Sequence, residues 1–138
     1  MADGRAEYVI GLGETLYFDR APGAAADLFE TALAHRPQSP DARERILDWW
    51  ASAVDGDARP RSEIERQSSY QRIRDRMRDE LAQNPASASA AYWLAAAARG
   101  QGDLQAAWDA AQSGWVLAPM APDRSEEHTS ELQSQSTI

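Results

Sequence analysis

The chain of 138 residues has no cysteine and no lysine. Without cysteine there are no disulfides, no thiolate zinc sites and no thiol nucleophile, although the compartment stays open. All 14 basic residues are arginine, a bias read as that of a GC-rich genome rather than a need for guanidinium chemistry. Long apolar runs are missing too. None approaches the roughly 18 residues of a membrane-spanning helix, and residues 1–14 hold no apolar stretch of the kind that drives secretion. No membrane insertion is therefore expected. As written the chain is expected to be cytoplasmic, and a periplasmic location would need a signal peptide upstream of Met1. The net charge of −8 argues against a general nucleic-acid binder.

What is present is helical. With 43% hydrophobic and 26% charged residues the composition is that of a globular domain, and apolar residues recur at spacings of three and four. Residues 5–18 place Tyr8, Val9, Leu12, Leu16 and Tyr17 at such intervals, with Gly11 and Gly13 among them. Each glycine inside a helix costs roughly 1 kcal/mol against alanine, so a packing reason is expected. A turn over 19–23 leads to a second helix, 24–35, with Leu28, Phe29, Ala32 and Leu33 on one face and Arg36-Pro37 as its stop. Ser39-Pro40-Asp41 combines an N-cap, a proline at the first helical position and an acid in the first turn. The helix it opens, to about Val54, is expected to bury Ile46, Leu47, Trp50 and Val54, with Trp49 to one side. Residues 55–61 read as a loop. Ser62 with Glu65 is a capping box, opening a long helix to about Gln83 that turns Ile64, Tyr70, Ile73, Met77 and Leu81 inward. Residues 86–119 then give two alanine-rich helices, 88–99 and 103–117, around Gly100-Gln101-Gly102. Such a pair cannot bury its apolar faces alone and calls for stacking neighbours.

The pattern Val9-x-x-Leu12-Gly13-x-x-Leu16, followed by Ala25-x-x-x-Phe29, Ala32 and Pro37, resembles the tetratricopeptide repeat, as do Leu94-Ala95, Gly102-Asp103-Leu104, Ala107, Ala111, Gly114 and Pro119. Gly13 and Ala25 stand where paired helices approach closely, and Phe29 fills the gap between them. From Pro85 to Pro119 is 34 residues, the family's period, whereas Pro37 to Pro85 is 48. The middle unit thus carries about 14 residues in excess. The resemblance implies an all-α, right-handed α-solenoid of three antiparallel helix pairs, units 5–37, 38–85 and 86–119, within a domain of residues 1–123. Ala121-Pro122-Asp123 would begin a fourth unit.

Residues 124–134, RSEEHTSELQS, resemble the translation of a common sequencing-library adapter over their full length. Residues 124–138 are accordingly expected to be a non-native, disordered tail on a truncated chain, and His128 is set aside.

Several features could signal chemistry. Gly11-Leu12-Gly13 lacks the third glycine, the preceding strand and the Lys-Ser/Thr of a phosphate loop. Asp55-Gly56-Asp57 would need an acid at the twelfth position of a calcium loop, where Arg66 stands. His35, in the last turn of a helix, suits exposed carbonyls. No enzyme activity, metal or cofactor is expected. Residues 59–78 hold seven arginines against three acids. They read as a solvated face with pairs such as Arg72–Asp75, Arg76–Glu80 and Asp75–Arg78, the alternatives being contact with an acidic protein or with nucleic acid. The tryptophans read as filler between helices.

The resemblance further implies a non-catalytic scaffold whose first helices line a groove for a peptide or partner protein. Carried over, Glu7, Ile10, Glu14 and Tyr17 would line it in the first unit, Glu44 and Asp48 in the second, and Ser89, Tyr92, Ala96 and Arg99 in the third. Acidic at its N-terminal side, that groove would suit a basic or amphipathic segment. Two other readings stay open: an accessory segment of a larger, exported protein, and an enzyme whose catalytic domain lay beyond Asp123. Residues 103–117 are also expected to leave Trp108 and Val116 partly wet, favouring self-association.

Overall fold

The computed structural model describes residues 2–35 and 39–117, with side chains for 4–35 and 39–112. The proline stop at Pro37, the side chains of Trp115 and Val116, Pro119, the start of a fourth unit and the adapter-like tail lie outside the described residues. Those residues form an all-α structure of six helices: α1 (Ala2–Phe18), α2 (Pro22–Ala34), α3 (Pro40–Ala58), α4 (Glu63–Gln83), α5 (Ala88–Gly100) and α6 (Leu104–Leu117).

Local chemistry accounts for the helix starts. Ser39, Ser62 and Ser87 accept from the backbone N–H three residues on, at 3.1, 3.3 and 3.2 Å, and Asp103 does the same for Ala106 at 3.1 Å. Pro22 opens α2 from its first turn without a side-chain cap. Two of the ends share one motif. After α1, the N–H of Ala21 bonds the Leu16 carbonyl at 2.9 Å and that of Arg20 bonds Tyr17 at 3.2 Å. After α5, Asp103 bonds Ala98 and Gly102 bonds Arg99, both at 2.9 Å. Both are Schellman turns, whose penultimate residue must take a left-handed backbone. Gly102 does so freely at φ +80°, whereas Arg20 is forced there at +65°.

Two boundaries differ from the sequence expectation. The first turn is shorter than 19–23, because Pro22 and Gly23 already belong to α2. Residues 55–61 are a loop only from Arg59 on: α3 runs through Gly56 to Ala58. The helix continues because Asp55 and Asp57 each find an arginine four residues on, Arg59 at 2.8 Å and Arg61 at 3.3 Å. Gly56 also lets Tyr17 approach, since a Cβ there would stand 3.2 Å from the ring.

The centre of the packing is α3, which packs against α1, α2, α4 and α5. Its Ile46, Leu47 and Trp50 are fully buried and join Ile10, Phe29, Ile73 and Met77 in one core. Each such side chain contributes roughly 1.5–3 kcal/mol. Gly13 is the close approach between α1 and α2: a Cβ there would lie 2.1 Å from Phe29 Cζ. Beyond Phe29 the ring of Trp49 stacks at 6.2 Å. Of the residues expected to point inward from α4, Ile73 and Met77 are buried and Tyr70 and Leu81 are partly so. Ile64 is 84% exposed, because it sits in the first turn of α4 beyond the reach of its neighbours.

The arginines of α4 do not form the expected pairs along their own helix. Arg72 and Arg76 both reach Glu30 on α2, at 2.8 and 3.3 Å, and lie over the Trp50 ring at 5.5 and 4.9 Å. Glu80, buried at 5%, takes both arms of Arg43 from α3, and Arg43 also donates to the Leu33 carbonyl. Arg74 is buried and donates to Asp103 at 3.2 Å and to Gln101. Interhelical partners win because these guanidinium stems lie along apolar surface that faces other helices.

Candidate functional site

The residues carried over as groove-lining fall on α1, α3 and α5, and their surroundings differ sharply. Ile10 is 2% exposed, so it lines no surface: it packs in the core between α1 and its neighbours. Glu7 is exposed and paired with Arg45 of α3, which holds its carboxyl below the usual range. Glu44 accepts from the Ser87 hydroxyl at 2.6 Å and from the Ser89 N–H at 3.0 Å, closing the start of α5. Asp48 accepts from the Trp93 indole at 2.6 Å. Three of the four acids expected to make the groove acidic therefore already have partners inside the protein. Glu14 is half-buried. Tyr17 packs edge-on against Trp49 at 5.7 Å, while Tyr92 is 56% exposed and Arg99 is exposed.

Tyr92, Ala96 and Arg99 come together in a cleft of about 350 Å³ shared by the end of α3, the first half of α4 and the second half of α5. Its other lining residues are Asp55, Arg59, Tyr70, Ile73, Trp93, Ala97 and Gly100. Ile73 and Ala97, both buried, form the floor. Tyr92 and Trp93 meet edge to face at 5.4 Å, and the bond to Asp48 fixes the indole. Across the cleft the Tyr70 hydroxyl donates to Asp55 Oδ1 at 2.9 Å, while Arg59 bonds Oδ2 at 2.8 Å. Burial, that hydrogen bond and the Asp55 charge push the Tyr70 hydroxyl above its ordinary pKa. The hydrogen bond to Asp55, with that acid's charge, likewise raises Arg59. Gly100 makes room for this ring, since a Cβ there would come within 2.9 Å of Tyr70 Cε2.

Both carboxylate oxygens of Asp55 are thus engaged, whereas the guanidinium of Arg99 has no ion-pair partner among the described residues. The cleft offers an apolar floor, aromatic walls and a cationic rim.

Comparison with known proteins adds no further assignment: no family model, curated protein or solved structure matches the chain.

Sequence reasoning finds the α5 side of this cleft and misses the other. Asp55 and Arg59 fall in the stretch that reads as a loop, Tyr70 reads as core and Trp93 as filler. For Asp55, Arg59 and Tyr70 the signal is the excess length of the middle unit, which is where α3 and α4 extend. His35 behaves as its position implies, with Nδ1 2.8 Å from the Thr31 carbonyl.

Proposed function

We propose that the chain is a tetratricopeptide-like α-solenoid that acts as a non-catalytic scaffold and binds a peptide or partner protein on the face shared by α1, α3 and α5. The observation that carries this reading is which helices touch. The first helices meet in sequence, α1 with α3 and α3 with α5, while among the described residues the backbones of the second helices α2 and α4 stay apart and are linked only by long side chains, Arg72 and Arg76 on Glu30. In a curved stack the elements that touch lie on the inside of the curve, and those that splay apart lie outside.

The side-chain register supports the same arrangement. Glu7 meets Arg45 and Tyr17 meets Gly56, so α1 and α3 run in one direction. Glu44 with Ser89 and Asp48 with Trp93 give α3 and α5 the same sense. Within the middle pair, Arg43 meets Glu80 and Asp55 meets Tyr70, an antiparallel register. The matching Schellman turns of the first and third pairs are what a repeated unit would carry.

The test is selection of a random peptide display library against the full chain. Enriched peptides are expected to lose binding with Tyr17→Ala and Tyr92→Ala and to keep it with Glu63→Ala, a substitution in the first turn of α4. Peptides indifferent to both tyrosines would refute the groove.

A further inference from the structure

Resting on that groove reading, we propose that the cleft between α3, α4 and α5 takes a bulky apolar side chain from an acidic peptide segment, with a neighbouring carboxylate held at the rim by Arg99 and Arg59. The charge inventory decides the sign. Helix α5 carries no acid, and the acids of α3 near the cleft are occupied: Asp55 by Arg59 and Tyr70, Asp57 by Arg61, Asp48 by Trp93 and Glu44 by the start of α5, while Asp41 stands at the opposite end of α3. Arg59 spends Nε and Nη2 on Asp55, which leaves Nη1 for a ligand. Arg99 has all its donors to offer and is exposed beside the aromatic wall. A basic segment would meet two arginines with only one, already neutralised, acid between them. An acidic segment satisfies both cations, and bidentate geometry favours a carboxylate.

Size and lining decide the rest. About 350 Å³ lies at the lower end of the range for ligand sites, enough for one large side chain and its backbone. The floor of Ile73 and Ala97 with the Tyr92 and Trp93 rings suits an aromatic or branched aliphatic group. Trp93 is held in place by its bond to Asp48, and Tyr70 by its bond to Asp55, so two walls are set before a ligand arrives.

The experiment is titration of the full, 15N-labelled chain with three blocked peptides, read by NMR shifts, which report millimolar affinities. The probes are acetyl-Gly-Glu-Phe-Glu-Gly-amide, its counterpart with lysine for glutamate, and its counterpart with serine for phenylalanine. The acidic aromatic probe is expected to move the Trp93 indole and the amides of Ala96 and Gly100, and to bind more tightly than the other two. Arg99→Glu, at an exposed position with no ion pair among the described residues, should weaken it about tenfold with unchanged circular dichroism. Arg99→Lys should retain most of the affinity. If the lysine probe binds the cleft as tightly, the acidic assignment falls and the groove reading stands. If the serine probe binds equally, the apolar pocket falls. If no probe moves a cleft resonance, the inference is overturned, whereas the library selection still judges the groove by itself.

Discussion

Replacing Gly13 with alanine sets two well-known effects against each other, and the geometry decides between them. Alanine is the better helix former by about 1 kcal/mol, so in an exposed helix the change would stabilise. Here the new methyl would sit 2.1 Å from Phe29 Cζ and 2.6 Å from both neighbouring ring carbons. The ring would have to retreat by about 1.3 Å to reach ordinary contact at 3.4 Å. It has no room to do so, because Phe29 is fully buried and Trp49 stacks on it at 6.2 Å and 19°. Overpacking of this kind costs roughly 1–3 kcal/mol, and a clash with three ring atoms belongs at or above the top of that range. Gly13→Ala should therefore lose a net ~2 kcal/mol in urea unfolding, or about 8 °C in Tm. Gly11 lies two residues away in the same helix, and a Cβ there would meet nothing within 4 Å. Gly11→Ala should gain about 1 kcal/mol, which makes it the internal control. Adding Phe29→Leu to Gly13→Ala should recover part of the loss in a double-mutant cycle. Equal or greater stability of Gly13→Ala than of the unaltered chain would refute the close approach of α1 and α2.

Three other outcomes are expected. Arg20→Gly relieves the left-handed residue in the first Schellman turn and should stabilise by about 0.5–1 kcal/mol in thermal unfolding, since Gly102 fills the equivalent position at the other turn. Glu80→Gln takes the bidentate carboxylate away from the largely covered guanidinium of Arg43 and should cost roughly 3 kcal/mol in chemical denaturation. Acid should weaken the fold through Glu7, which Arg45 holds down, and through two further carboxylates. Partial burial raises the Glu30 pKa but Arg72 and Arg76 outweigh it, and the Ala106 N–H, then Arg74, outweigh burial at Asp103, so both lie below their ordinary values when folded. Their stabilisation is complete above the ordinary carboxylate range and is lost as pH falls through the depressed folded values. Stability should thus be level near neutrality and fall below about pH 4, with a shallower fall in Glu30→Gln.

The elements were largely legible in the sequence because their signals are local. Serine caps, the capping box and three-to-four spacing each act within a turn or two of the chain, and the helices of the structure follow them closely. The role of Gly13 against Phe29 was legible through the repeat pattern, whereas the cost of a helical glycine by itself predicted a packing reason at Gly11 too, where a Cβ would meet nothing within 4 Å. Failures came where the outcome depends on distant partners. The Asp-Gly-Asp run at residue 55 looks like a turn, and only arginines four residues on, with Tyr17 of another helix against Gly56, keep it helical. Ile10 shares a helix with Glu7 and Glu14, yet a single step around the axis takes it from surface to core. The arginines of α4 could have paired along their own helix, and nothing local foretold Glu30 as the partner of Arg72 and Arg76 or Asp103 as that of Arg74. Half of the cleft was missed for the same reason: it arises where the end of α3, the first half of α4 and α5 come together, a meeting that no signal within one helix reports.

The junction at Glu30 has a mechanical consequence. On the α1, α3 and α5 side, neighbouring helices are in van der Waals contact, which resists both compression and extension steeply. On the opposite side α2 and α4 are joined through one carboxylate shared by two long, half-exposed arginine side chains. Such a tie is soft, because each arm can swing through several rotamers before the charge pair is lost, and dissolved salt weakens it. A bending load should therefore be taken up almost wholly on the α2–α4 side, with the seam of α1, α3 and α5 acting as the fixed hinge line. The stiffness of the helix array against such bending should fall as ionic strength rises, with no loss of helix.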